Sequence, residues 1–140
     1  MSSYQDDIDI SLFVQDINAT YKVDLKDKIF VFVVNTMRFL MKLPHTKELD
    51  VLRYQLSKSA TSVGANFEEA QSTSYREFVQ KMRIALRESN ESGYWLRLFK
   101  ELELGSSQEV GKLYSECVEI SKMLGTIVSK SQKKLNAMKS

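Results

Sequence analysis

Residues that commonly carry out chemistry are scarce in this chain. Its 140 residues include one histidine, His45, one cysteine, Cys117, and one proline, Pro44. A single cysteine excludes an intrachain disulfide, and a single histidine excludes the two Glu-x-x-His pairs of a di-iron helical bundle. There is no glycine-rich phosphate loop and no zinc-ligand spacing. The sequence therefore predicts a protein that is not an enzyme and that holds no metal or cofactor.

The two rare reactive residues have structural interpretations. His45 directly follows the helix-stopping Pro44, which favours a loop residue over a catalytic base. Cys117 lies on the apolar stripe of a predicted helix. A nucleophilic cysteine needs an accessible, electropositive setting, so a buried thiol is favoured.

Charge is distributed unevenly along the chain. The net charge is only +2, but residues 1–24 carry five acids and one lysine, whereas residues 122–140 carry five lysines and no acid. This asymmetry indicates either an anionic partner or a contact between the two ends. The opening stretch, Met1 to Asp9, lacks the basic and apolar parts of a signal peptide, and no apolar run approaches the roughly 18 residues of a membrane span. We expect a cytoplasmic protein that does not associate with membranes.

Few helix breakers are present, and apolar residues recur at helical spacing in four segments. The first helix is predicted from the N-cap Asp24 to the residues before Pro44, and the second from about Thr46 to Glu69. Capping boxes at Ser74 and Ser106 open a third helix, reaching about Glu103, and a fourth that continues to Met138. The fourth helix has the clearest stripe, which consists of Val110, Leu113, Cys117, Ile120, Leu124, Ile127, Ser131, Leu135 and Met138.

Short connections force neighbouring helices to run in opposite directions. We therefore predict an all-α protein in which residues 24–140 form an antiparallel four-helix bundle. Residues 1–23 are predicted to form an acidic N-terminal arm with a short amphipathic piece, Ile8 to Ile17. This arm is interpreted either as a short helix or as an ordered extension.

The third helix carries a stripe of arginines opposite its predicted core side. Its outward residues are Arg76, Arg83, Arg87, Tyr94 and Arg97. Arginines with an interleaved aromatic suit phosphate contacts and base stacking, so these arginines are candidate nucleic-acid-binding residues. The basic end of the chain adds Lys130, Lys133 and Lys134. The alternative is an ordinary solvated face paired with Glu91 and Glu101.

The same helix has a second apolar group between its two sides. Its members are Ile84, Trp95, Leu98 and Leu102. A helix in a monomeric bundle needs one buried stripe, and tryptophan is enriched at interfaces. These four residues are therefore candidates for an oligomer interface. The alternative is that the core stripe is simply wide.

Several short motifs occur in an order that resembles a known family. They are Gln55-Leu56, Ser62-Val63-Gly64-Ala65-Asn66-Phe67-Glu68-Glu69-Ala70, Ser74, Glu77-Phe78, Lys81-Met82, Ile84-Ala85-Leu86-Arg87-Glu88, Tyr94-Trp95-Leu96-Arg97-Leu98, Glu116-Cys117 and Leu124 to Val128. Over roughly residues 24–135 the chain resembles the bacterial four-helix-bundle proteins, also called 23S rRNA-intervening sequence proteins. These are distantly related to accessory proteins of diversity-generating retroelements.

The resemblance implies an up-down-up-down bundle and a homopentameric ring. The related retroelement proteins bind nucleic acid and a reverse transcriptase. Two functions are therefore open: an oligomer that binds RNA or DNA through basic surfaces, or a scaffold for a protein partner encoded nearby. The acidic start lies outside the family pattern. The loop Gln71-Ser72-Thr73 lacks the basic residue that the family often has there, which weakens an anion-binding role for that loop.

Overall fold

The computed structural model describes the backbone of residues 3–139 and the side chains of residues 12–139. Its helices are α1 (Ser3–Tyr21), α2 (Leu25–Met41), α3 (Lys47–Ala70), α4 (Tyr75–Glu101) and α5 (Ser107–Met138). The described residues contain no strand. The all-α prediction is confirmed, and the structure has one helix more than the four predicted. Within the same described range, no helix is long and apolar enough to cross a membrane.

Polar caps begin four of these helices. In each, a side-chain oxygen accepts a hydrogen bond from the backbone N–H three residues later, which satisfies a donor left free by the first helical turn. The caps are Asp24 (3.3 Å to the nitrogen of Asp27), Thr46 (3.2 Å to Leu49), Ser74 (3.4 Å to Glu77) and Ser106 (3.3 Å to Glu109). The predicted starts are confirmed, while α2 ends at Met41, before Pro44, and α4 ends at Glu101, two residues before the predicted end.

One apolar core joins the helices. Most positions predicted from the helical stripes are buried in it, including Leu25, Phe32, Leu56, Val63, Phe67, Phe78, Met82, Leu96, Leu113 and Leu124. Met138, the last position of the predicted α5 stripe, is 37% exposed because it lies at the end of the helix. The helical periodicity therefore predicted the core correctly up to the last helical turn.

Polar contacts show how the helices are aligned. The pairs are Lys26–Glu68 (3.6 Å) between α2 and α3, Glu69–Lys81 (2.9 Å) and Ser59–Ser92 (2.8 Å) between α3 and α4, Ser89–Ser121 (2.6 Å) and Tyr75–Ser131 (2.8 Å) between α4 and α5, and Lys28–Glu119 (2.8 Å) and Lys42–Glu109 (2.7 Å) between α2 and α5. In each of these helix pairs, a position near the start of one helix meets a position farther along the other. Neighbouring helices therefore run in opposite directions.

The N-terminal segment is a longer helix than the predicted amphipathic piece, Ile8 to Ile17. Its inner side is apolar where the side chains are described: Ile17 is 4% exposed, and the Phe13 ring lies 6.2 Å from the ring of Tyr75. These contacts place α1 against α4, and it also touches α2 and α5. The predicted arm is thus a helix packed on the others, because its apolar residues find core surface to cover.

The end of α1 also supports the start of α2. Asn18 Oδ1 accepts a hydrogen bond from the backbone nitrogen of Leu25 at 2.9 Å. The acidic side chains of Asp6, Asp7 and Asp9 lie outside the described side chains. A contact between the acidic start and the basic end therefore stays a prediction.

The turn from α4 to α5 requires glycine at residue 105. Gly105 has φ +73°, in the left-handed region that side chains disfavour. A Cβ atom built there would lie 2.7 Å from the Phe39 ring, well inside van der Waals contact. The turn can therefore sit directly on α2 only because residue 105 has no side chain.

Candidate nucleic-acid interface

A groove about 400 Å³ in volume runs between the outer edges of α4 and α5. Residues from α4 form one wall and residues from α5 form the other. They are Ser89, Asn90, Gly93, Tyr94 and Arg97 on α4, and Tyr114, Cys117, Val118, Ser121 and Lys122 on α5. We call this feature the α4–α5 groove. Its lining combines two cations, two tyrosines and small polar side chains.

The groove continues into a second, more open depression along α5. This trough, about 560 Å³ in volume, is lined by Tyr21, Lys122, Gly125, Thr126, Ser129, Lys130 and Lys133. Lys122 borders both depressions, so they form one strip from Tyr114 to Lys133. At 1.5 Å per helical residue the strip is about 28 Å long. We call the whole strip the basic strip.

The electrostatic character of the basic strip is one-sided. Its cations are Arg97, Lys122, Lys130 and Lys133, and no acidic side chain lines it among the residues that the structure describes. A carboxylate lies close at one end, where Glu101 shares a small depression with Tyr94 and Arg97. Glu119 also lies close enough to Lys122 for the lysine to help lower the pKa of the Glu119 carboxyl, after the larger effect of Lys28. The excess of positive charge in a concave surface still attracts anions and orients them along it.

The arginines predicted from the sequence are all exposed, but they do not form one site. Arg97 lines the α4–α5 groove, and Arg83 lies beside it, donating from Nη1 to Gln132 Oε1 at 2.8 Å. Arg76 and Arg87 point to solvent without lining the basic strip. The structure therefore brings only part of the predicted stripe to the junction with α5.

The predicted lysines divide in a similar way. Lys130 and Lys133 lie in the trough, whereas Lys134 is exposed but does not line it. Sequence reasoning did not identify Lys122 or Tyr114 as site residues. A helical wheel of α5 would have placed Lys122, Gly125, Ser129 and Lys133 on one outward side, but not beside Arg97, because that proximity depends on how α4 and α5 pack.

The candidate oligomer residues on α4 are mostly covered within the subunit. Ile84, Trp95 and Leu98 are half-buried, and Leu102 is 54% exposed. The Trp95 ring packs edge-on against Tyr94 with 5.0 Å between ring centroids. The indole Nε1 of Trp95 is buried and has no hydrogen-bond partner in the described structure. Only the Leu102 end of this group offers a substantial apolar surface.

A larger apolar surface lies on the other side of the molecule, over α2 and α3. Phe30, Met41 and Tyr54 are 62%, 76% and 61% exposed. Between the two helices lies a depression of about 240 Å³, lined by Ile29, Phe30, Val33, Thr61, Gly64, Ala65 and Phe67, with the Lys26–Glu68 pair at its edge. We call these residues the α2–α3 face. Isolated exposed apolar residues are ordinary, but here exposed Phe30 borders an apolar depression, which is a feature typical of interaction surfaces.

The two rare reactive residues have the surroundings that the sequence predicted. Cys117 is buried, and its Sγ donates to the carbonyl oxygen of Ser89 at 3.1 Å. Burial raises the pKa of the Cys117 thiol to about 11. The contact with the Ser89 hydroxyl, at 3.8 Å, acts in the opposite direction and lowers this pKa by less. His45 is exposed beyond α2, with Nδ1 3.2 Å from Asp50 Oδ1. In the described part of the chain, no cluster of three or more histidine, cysteine or acidic side chains is arranged to hold a metal.

Both the sequence and the fold of the chain are similar to those of known proteins. The sequence profile described as 23S rRNA-intervening sequence protein matches residues 21–126. The structure is similar to a crystal structure of a protein of unknown function from the S23 ribosomal protein family of Bacteroides thetaiotaomicron. The two are 35% identical, with a TM-score of 0.64, and the similarity covers 74% of this chain and 97% of that one. No protein of curated function matches. Most of α1 and the last twelve residues of α5 lie outside the matched range, which still spans more than half of the chain. The chain therefore belongs to the 23S rRNA-intervening sequence protein family.

Proposed function

We propose that this chain is a non-enzymatic, oligomeric helical-bundle protein that binds nucleic acid along the basic strip. In this proposal α2–α5 form the up-down-up-down four-helix bundle of the family, and α1 is an addition to it. The observation that carries the proposal is the set of cations, Arg97 from α4 and Lys122, Lys130 and Lys133 from α5, that line two depressions sharing Lys122, with no acidic side chain in the described lining.

The chemistry of the strip suits a polyanion better than a single small anion. Its cations are spread over a length of about 28 Å rather than gathered at one point. The flat guanidinium of Arg97 can bind a phosphate through two hydrogen bonds, while the lysines act as point charges on flexible stems. Each neutralised phosphate releases condensed counterions, so several modest contacts add up to useful affinity.

Self-association would multiply this effect. The α2–α3 face supports it, since Phe30, Met41 and Tyr54 leave a large apolar area exposed. It lies on different helices from the basic strip, so covering it in an oligomer leaves the strip open. Repeating the strip in each subunit of a homopentamer would raise the affinity for a long strand through effective concentration.

The test is fluorescence anisotropy with a short labelled RNA and a short labelled DNA at several salt concentrations. Affinity should fall steeply with salt, with a log–log slope of about −0.7 to −0.9 for each phosphate contacted. Arg97→Glu with Lys122→Glu should weaken binding to unrelated sequences alike, because phosphate contacts do not read sequence. Arg38→Glu with Lys47→Glu is the matched control, since both residues are exposed on α2 and α3.

The control pair changes the net charge equally, so it separates the basic strip from general charge attraction. Equal losses for the two pairs would reject the strip as the binding site. An intact oligomer that binds neither nucleic acid at low salt would reject nucleic-acid binding altogether. The α2–α3 face would then favour the second function, a scaffold that docks a protein partner encoded nearby.

A further inference from the structure

Three tyrosines lie along the basic strip, interleaved with its cations. Tyr94 and Tyr114 face each other across the α4–α5 groove, and Tyr21 borders the trough. Tyr94 is 55% exposed and Tyr21 is 42% exposed, while Tyr114 is half-buried. Tyr94 and Tyr21 are exposed outside the core, whereas Tyr114 packs partly against it.

The Tyr94 ring is held in place although it is exposed. It makes a T-shaped contact with Trp95, with ring centroids 5.0 Å apart and planes at 76°. Such a contact occupies one edge or one face of the Tyr94 ring and leaves another face open. A fixed aromatic face loses little conformational freedom when a flat ligand stacks on it.

The cations are placed to hold the charged part of the same ligand. Arg97 lies three residues after Tyr94, so the two side chains are neighbours on one side of α4. Lys122 lies across the groove on α5. Gly93 in the groove and Gly125 in the trough carry no side chain: a Cβ at Gly93 would be in ordinary contact with Cys117 Sγ at 3.7 Å, and a Cβ at Gly125 would meet nothing within 4 Å. The floor is therefore open enough for a flat ring to approach the helices.

We propose that the basic strip binds single-stranded nucleic acid, with an unpaired base stacked on Tyr94 and the flanking phosphates held by Arg97 and Lys122. This inference rests on the proposed function and adds the substrate class. Alternating aromatic faces and cations bind single strands without sequence preference, because every base has a face to stack. A duplex satisfies only the cations, since its bases are already stacked on each other.

The experiment compares three labelled probes: 12-nucleotide oligothymidylate, an abasic strand with the same number of phosphates, and a 12-base-pair mixed-sequence duplex, which has twice as many phosphates and is therefore favoured on charge alone. The full-length protein should bind oligothymidylate at least about tenfold more tightly than the abasic strand, the loss expected for one missing base–aromatic stack. Tyr94→Ala should remove that difference, and Tyr94→Phe should keep it. Val51→Ala is the control, because Val51 is 60% exposed on α3 and lines neither the basic strip nor the α2–α3 depression.

The outcomes separate the two proposals. Equal affinity for oligothymidylate and the abasic strand overturns base stacking but leaves phosphate binding intact. Tighter binding to the duplex than to either single strand overturns the single-strand assignment in the same way. Failure of all three probes at low salt overturns the proposed function itself. Helix content measured by circular dichroism for each tyrosine variant ensures that a lost affinity is not a lost fold.

Discussion

The α4–α5 groove and the α2–α3 face are built on the same helical framework but have opposite surface chemistry. Both are shallow grooves between adjacent antiparallel helices. The first is lined by cations, tyrosines and serines, and the second by Phe30, Val33 and small residues with one ion pair at its edge. The core constrains one side of each helix and leaves the other side free. Differences in function therefore arise in the outward side chains.

The two surfaces also differ in what holds their walls together. Under the α4–α5 groove, Ser89 contacts Ser121 and Cys117 through hydrogen bonds. Under the α2–α3 face, Gly64 lets α3 approach α2, since a Cβ there would lie 3.4 Å from Val33 Cγ2. Side-chain hydrogen bonds therefore lie beneath the first groove and apolar side chains beneath the second, although α2 and α3 are also joined by Lys26–Glu68 and by hydrogen bonds that Arg53 donates to the carbonyl oxygens of Leu40 and Leu43. The following changes test this contrast, in decreasing order of expected effect.

Shortening a buried apolar side chain should lower the stability of the whole bundle, and with it the stability of both surfaces. Leu124 is fully buried on α5, and Leu124→Ala should lower the free energy of unfolding by about 2–5 kcal/mol through lost burial and a residual cavity. Urea unfolding followed by circular dichroism measures the change. Met138→Ala, on the same helix but 37% exposed, should stay within about 0.5 kcal/mol. Similar losses for both would mean that α5 is packed differently.

A charge on the α2–α3 face should break assembly without touching the basic strip. Phe30 is 62% exposed, and Phe30→Asp should shift the mass measured by light scattering from the fivefold multiple of 16.1 kDa expected of the proposed pentamer toward 16.1 kDa. The reason is that burying a carboxylate in an apolar contact is costly. Leu102→Asp tests the other candidate interface. If only Leu102→Asp dissociates the oligomer, the α4 group that includes Trp95 is the interface instead.

The buried thiol beneath the α4–α5 groove should make stability depend on pH in the alkaline range. Burial raises the pKa of Cys117 to about 11 from an ordinary value of 9.0. The unfolded chain loses this proton more readily, so the thiol's contribution is complete below pH 9 and is lost as pH rises toward 11. Its size is about 2–3 kcal/mol. Urea unfolding in reductant at pH 8 to 11, compared with Cys117→Ala, measures the difference, and parallel curves would contradict it.

The smallest effect concerns the ion pair that joins α2 to α5. The hydrogen bond from Lys28, at 2.8 Å, lowers the pKa of the Glu119 carboxyl from its ordinary value of 4.5. The pair's contribution is therefore present above pH 4.5 and is lost as pH falls through the lowered pKa. Glu119 is 57% exposed, so Lys28→Ala should cost at most about 1 kcal/mol at neutral pH. A loss insensitive to added salt would argue against an electrostatic origin; Lys26→Ala provides the comparison.

The elements that local sequence determines were predictable. Asp24, Ser74 and Ser106 cap helices where their side chains predicted it, since a cap depends on residues three positions apart. The α5 stripe is buried as its periodicity indicated, except at Met138. The extent of α1 was not predictable in the same way. Its helix is supported by contacts such as Phe13 with Tyr75, which lie far apart in sequence.

The candidate site was predictable only in part, for the same reason. The wheel of α4 showed that Arg83 and Arg97 face outward, but their distance from Lys122 depends on how α5 packs. The apolar run from Phe30 to Val34 was correctly assigned to a helix. Its apolar side chains, however, lie on several sides of α2. The helical periodicity alone does not say which of these sides the other helices leave exposed. Thus Phe30 and Val31 are exposed while Phe32 is fully buried.

The turn at Gly105 couples the residue between α4 and α5 to Phe39 on α2. A methyl group at this position would press on Phe39 and push α2 away from the start of α5. Gly105→Ala should therefore behave as a temperature-sensitive allele, and a smaller residue at position 39 should act as its partial suppressor. Suppression would remain incomplete, because the positive φ of residue 105 still disfavours alanine. Substitutions at residues 39 and 105 are expected to show epistasis at a turn whose residues line neither the α4–α5 groove nor the α2–α3 depression.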